Sequence, residues 1–132
     1  MNAVVGPEAI VPGFTYLNVL SEQPHLWFVA STPTENGEVV LFMLSTRRSG
    51  ADLSCIIQPG EHPWLTRETV VVYRLGEIQT VNWICKLVEN GFAKIKDAMP
   101  PALLQRAQQA ALESKYTPRR IQKLIRRTLE DT

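Results

Sequence analysis

The stretch from Val39 to Tyr73 limits the possible folds more than any other part of the chain. An apolar run, Val39 to Leu44, stops abruptly at Ser45-Thr46-Arg47-Arg48. A second run begins at Leu53, and a Gly60-Glu61-His62-Pro63-Trp64 turn delivers the chain into a third, Val70 to Tyr73. Short apolar runs bounded by turn residues read as buried strands. Hydroxyl and guanidinium groups are therefore concentrated where a strand leaves the core, and fixed strand ends hold polar groups accurately enough to act on a ligand. Ser and Thr beside two Arg point to an anionic ligand, because the planar guanidinium fork matches phosphate or carboxylate.

The surrounding chain supplies more short strands. Residues 1–12, with Gly6, Pro7 and Pro12, read as an irregular lead-in. Phe14 to Leu20 and Leu26 to Ala30 are strand-like, and Thr32 to Gly37 is a hairpin loop whose Asn36-Gly37 pair suits positive φ. Glu38 to Leu44 reads as a central strand buried on both faces. Leu53 to Gln58 and Thr69 to Leu75 are further strands, with Gly76 beginning a connection. Thr80 to Val88 is ambiguous between strand and helix, with a strand, or a strand entering a short helix, favoured, and Phe92 to Lys96 fits a last strand. The pattern changes at Pro100-Pro101, where strong helix formers run to Leu112. Thr117 as N-cap and Pro118 as first helical residue start a second helix, with Ile121, Leu124, Ile125 and Leu129 on one stripe. The expected fold is α+β, mainly β: a small antiparallel barrel or half-barrel with two C-terminal helices.

At 132 residues the chain is expected to form a single domain, 12–98 the barrel and 99–132 a helical extension. A domain of this size buries roughly two thirds of its unfolded surface and needs no metal or disulfide staple. No apolar run approaches the ~20 residues of a membrane helix, and the N-terminus lacks the basic region of a secretory signal. Cys55 and Cys85 lie in apolar runs, as expected of buried thiols in a reducing, cytoplasmic setting. No Cys-x-x-Cys is present, and two isolated His make no metal cluster, so neither metal nor cofactor is expected. Charge is uneven. Residues 1–114 hold eight Lys+Arg against eleven Asp+Glu, a net −3; residues 115–132 hold six against two, a net +4. A basic tail on an acidic body suits an anionic polymer, a membrane surface or an acidic protein.

Three segments in order, Gly13-Phe14-Thr15-Tyr16-Leu17, Trp27-Phe28-Val29-Ala30-Ser31 and Val39 through Ser45-Thr46, give residues 12–88 a likeness to a known family. The chain resembles the MazF/PemK-like toxins. The resemblance implies an SH3-like barrel, metal-independent cleavage of single-stranded RNA, and neutralisation by an antitoxin (protein or RNA); a homodimer is a further expectation. His25, in Pro24-His25-Leu26-Trp27, falls near the position of the family's catalytic Arg before Pro, and Ser45-Thr46 stands for its Thr-Ser pair. The two-helix extension from Pro100 exceeds what typical members carry.

Two functions follow as expectations. In the first, an RNA 2′-hydroxyl attacks the adjacent phosphate, which requires a base, an acid and cations at the phosphate. His25 suits proton transfer, since imidazole titrates near ~6.5. Ser45 and Thr46 orient the phosphate, Arg47 neutralises its charge, and His62 is a second proton carrier. Arg48 adds to phosphate binding, Trp64 and Trp27 offer faces for stacking bases, and Lys115, Arg119, Arg120, Lys123, Arg126 and Arg127 form a backbone-tracking patch. In the second, the barrel binds a protein or nucleic acid without catalysis. The same residues then have plainer roles: Ser45 and Thr46 cap a turn, the histidines bond locally in loops, the tryptophans pack, and the basic residues form a solvated helix face.

Overall fold

The computed structural model describes residues 4–131. Met1 to Ala3 of the lead-in, and Thr132, lie outside it. After a short 3-10 turn at Pro7–Ala9, the order is β1 (Thr15–Asn18), β2 (His25–Val29), β3 (Glu38–Thr46), β4 (Ile56–Ile57), β5 (Thr69–Thr80), α1 (Val81–Glu89), β6 (Ala93–Lys96), α2 (Pro101–Glu113) and α3 (Arg119–Glu130). The strands form one antiparallel sheet in the order β4-β5-β3-β2-β1-β6. The sheet curls into a half-barrel, helped by a register shift between Leu41 and Met43 that bends β3 against β5.

β3 is central, as its apolar run implied, and Val39 to Phe42 are fully buried. Its alternation feeds two cores. Val40, Phe42 and Leu44 face α2 and α3, where they meet Phe28, Tyr73, Leu103, Ala107, Ile121 and Ile125. Val39 and Leu41 face the other way, against Ile10, Tyr16 and the α1 residues Val81, Ile84, Cys85 and Val88. Phe42 sits between Phe28 and Tyr73, ring centroids 5.9 and 5.0 Å apart. The helices are tied down by polar bonds as well. Tyr73 Oη donates to the Ala107 carbonyl (2.7 Å), Gln108 Nε2 to the Ala30 carbonyl (2.9 Å), and Thr32 N to Thr128 Oγ1 (3.0 Å). Burial pushes the Tyr73 hydroxyl pKa far above that of a free phenol, so it remains a donor.

Of the readings for Thr80 to Val88, the strand entering a short helix holds, and three other expectations are corrected. The segment after Thr80 is a helix: Thr80 Oγ1 caps it by accepting from Trp83 N (3.1 Å), and Val81, Ile84, Cys85 and Val88 share its buried face. Within Leu53 to Gln58 the strand is confined to Ile56–Ile57. Gly76 does not begin a connection. It lies inside β5, beneath α3, where a Cβ would come within 2.8 Å of Ile121 Cδ1 and of Phe42 Cε1, so the missing side chain lets strand and helix close together. Thr117 does not cap α3: Pro118 holds the N-cap position with no side-chain bond, and Thr117 Oγ1 is buried without a partner. The α3 stripe does pack as expected, with Ile121 and Ile125 buried and Leu124 and Leu129 partly so. Cys55 and Cys85 are both buried and free. Among the described residues no helix is long and apolar enough to cross a membrane.

Candidate functional site

Where β2 begins and β3 ends, a groove of about 330 Å³ opens over the strand ends. Leu17, Leu26 and Leu44 give it an apolar floor, and its rim carries His25, Ser45, Thr46, Arg48 and Trp64. The register that sets Trp27 opposite Met43 and Phe28 opposite Phe42, continued two residues, brings His25 level with Ser45. Alternation sends His25 and Ser45 to one side of the sheet, and Leu26, Leu44 and Thr46 to the other. The groove takes in both sets because it lies across the ends of the strands. Five residues singled out from sequence, drawn from three separate segments, thus share one concave surface.

Trp64 is held there by the residue two places before it. His62 is wholly buried. Its Nδ1 accepts from Trp64 N (3.1 Å), which leaves the ring proton on Nε2 to donate to the Asp97 carbonyl (2.7 Å). The imidazole therefore staples the β4–β5 loop to the chain just beyond β6. With both nitrogens engaged by backbone, it offers no free nitrogen to a substrate. Lys96 of β6 completes the arrangement, its Nζ 4.3 Å from the centroid of the Trp64 ring.

The two adjacent arginines diverge. Arg47 donates to Glu68 Oε1 at 2.6 Å, and its backbone N–H also bonds the Glu68 carbonyl (2.9 Å). That guanidinium holds the Glu68 carboxyl below the usual carboxylate range, and Arg47 is not among the residues lining the groove. Arg48 lines the groove, and among the described residues no carboxylate pairs with it. An unneutralised guanidinium beside exposed hydroxyls is suited to a phosphate.

The basic residues of α3 stand apart. Arg119, Arg120, Lys123, Arg126 and Arg127 are all exposed, and none lines the groove. Arg120 reaches Glu38 at 3.9 Å. Glu38 begins β3 and Ser45 nearly ends it, a separation of roughly 24 Å along an extended strand. Lys115, before α3, lies beside Tyr116. Trp27 is half-buried against the α1-side core. Among the described residues no group of three or more His, Cys, Asp or Glu gathers where it could hold a metal ion.

Sequence reasoning missed Lys96, Leu17 and the positioning role of His62. The alternation of Ala93-Lys94-Ile95-Lys96 marks a strand with lysines on one side, but nothing in it says that this strand pairs with β1. Compared with models of known families, with curated proteins and with solved structures, the chain matches none.

Proposed function

We propose that the protein is a metal-independent endoribonuclease acting on single-stranded RNA, a divergent relative of the MazF/PemK-like toxins with an SH3-like half-barrel, working in the cytoplasm and restrained by an antitoxin. One observation carries the reading: His25, Thr46, the unpaired Arg48 and the exposed Trp64 line a single groove. In this scheme Trp64 stacks a base, Arg48 and the Thr46 hydroxyl hold the scissile phosphate, and His25 exchanges the proton of the 2′-hydroxyl or of the leaving 5′-oxygen. A water carries the other proton. Bond formation between the 2′-oxygen and phosphorus, with loss of the 5′-oxygen, gives a 2′,3′-cyclic phosphate. His25→Ala is expected to lower the cleavage rate by roughly 10²–10⁴, with EDTA having no effect. Cleavage by His25→Ala at the wild-type rate, or no cleavage by wild type across salt and pH, removes the catalytic assignment.

A second reading has its own support. With Arg47 bound to Glu68 and His62 bound to backbone, the groove keeps one imidazole for a reaction that needs two proton transfers. A non-catalytic module that holds single-stranded RNA in the same groove predicts tight binding and no product.

A further inference from the structure

Two exposed aromatic rings share one arrangement. Trp64 is 45% exposed with Lys96 Nζ 4.3 Å from its ring centroid; Tyr116 is 48% exposed with Lys115 Nζ 5.2 Å from its own. In both, an ammonium lies against the ring while much of the ring stays open to solvent. The two pairs belong to connected surfaces. The groove that Trp64 lines shares Ser45, Thr46 and Arg48 with a second depression of about 380 Å³, lined further by Arg74 and Tyr116. Trp64 lines only the first depression, Tyr116 only the second, and Arg48 both.

The backbone that carries the second ring is anchored by a side chain two residues before it, as that of the first is. Ser114 Oγ donates to Asp52 Oδ2 (2.6 Å) and accepts from Tyr116 N (3.2 Å). Asp52 Oδ1 in turn accepts from Ser54 N (3.0 Å) and Ser54 Oγ (2.6 Å). This chain of bonds fastens the Tyr116 turn, between α2 and α3, to the loop that carries Arg48.

We propose that the Trp64–Lys96 and Tyr116–Lys115 pairs are two base-stacking stations on one track for single-stranded RNA, with Arg48 between them on the phosphate backbone. The proposal rests on the RNA reading above and extends it from a cleavage site to a substrate spanning both depressions. Every base has a π face, so such stations are tolerant of sequence but require unpaired bases. Each lysine serves twice, steadying a ring and neutralising a backbone phosphate.

The test uses a labelled single strand of about a dozen nucleotides, a length within what such grooves hold. It is made of 2′-O-methyl RNA, which lacks the attacking hydroxyl, and binding is followed by fluorescence anisotropy. Trp64→Ala and Tyr116→Ala are each expected to weaken binding by roughly 5- to 150-fold. Lys96→Gln and Lys115→Gln are each expected to flatten the slope of log affinity against log salt by about 0.7. A duplex of the same sequence should bind both aromatic variants as it binds wild type. Melting curves confirm that the variants fold. Wild-type affinity in Tyr116→Ala, with Trp64→Ala weakened, overturns the two-station track and leaves the cleavage site standing. Cleavage of the matching unmodified RNA is scored separately: aromatic variants that bind like wild type, in a protein that still cleaves, sink the track alone, and stations that bind in a protein that cleaves nothing support the track while removing catalysis.

Discussion

Gly76→Ala places a methyl group where α3 and the sheet touch. The ideal Cβ lies 2.8 Å from Ile121 Cδ1, 2.8 Å from Phe42 Cε1 and 3.1 Å from Phe42 Cδ1, against the ~3.5–4.0 Å of a relaxed carbon contact. Relief by turning the Phe42 ring is obstructed, since Phe28 and Tyr73 flank it. Relief by lifting α3 strains the Thr32–Thr128 bond. Overpacking of this kind costs about 1–3 kcal/mol, offset by ~0.4–1 kcal/mol from the reduced freedom of the unfolded chain. The net expectation is a loss of ~1–2 kcal/mol, or a fall in Tm of about 3–8 °C for a domain of this size. Ile121→Val deletes the Cδ1 atom and costs ~0.5–1.5 kcal/mol by itself. In that background the penalty of Gly76→Ala should drop by about half, because the Phe42 contact remains. Thermal and urea unfolding of the four proteins in the cycle give the coupling directly. An unchanged or higher Tm in Gly76→Ala, or an equal penalty in both backgrounds, would refute the close-packing account.

The diverging arginines give a sharp contrast in activity. Arg48→Ala should lower RNA cleavage by roughly 10²–10³ and Arg47→Ala by no more than a few-fold; the reverse order would assign the phosphate to the wrong guanidinium. His62→Ala removes both backbone bonds of the staple and leaves a cavity, so a loss of ~2–4 kcal/mol is expected, with limited proteolysis appearing first between Pro59 and Thr69; unchanged resistance would show that the loop is held otherwise. Arg106 donates to both carboxylate oxygens of Glu61 at 2.8 Å and to the Ile56 carbonyl at 3.1 Å. The Arg106 bonds to its carboxylate, with that from Gln58 N (2.7 Å), hold the Glu61 pKa down at about 2. A carboxyl depressed on folding contributes stability above its unfolded pKa and loses it as pH falls through the folded one. Stability should therefore drop by ~1 kcal/mol, after allowance for exposure, between about pH 4.5 and pH 2. Arg106→Met should remove that part of the acid dependence, and an identical acid profile in the variant would count against it.

The β strands were legible because period-two alternation and turn residues are local signals. Glu38 to Leu44 reads as central from its continuous apolar character alone, and Asn36-Gly37 marks its start. The helix after Thr80 carries a signal too: Val81, Ile84, Cys85 and Val88 repeat at helical spacing, with Thr80 as cap, but a short apolar run is compatible with either a strand or a helix. Gly76 misled because a glycine in a strand can mean a break or a close approach, and only the position of Ile121 on α3 decides which. The site was legible as a set of residue types and not as a set of directions. Whether Arg47 or Arg48 points into the groove depends on Glu68, twenty-one residues from Arg47 in sequence and its neighbour only through the β3–β5 register. The same holds for His62, whose fate is set by the Asp97 carbonyl.

The order in which the cores are completed has a consequence during synthesis. Phe28, Phe42 and Tyr73 are covered by Leu103, Ala107, Ile121 and Ile125, residues that follow every strand in the chain. At ~5–20 residues per second, the stretch from Lys96 to Glu130 takes a ribosome roughly 2–7 seconds to make. For that interval every strand has been made, and the residues that cover one aromatic face have not. Such a face attracts chaperones and other nascent chains. A slow codon before α2 would therefore lengthen the period of greatest risk, and a stop codon there would leave it permanent.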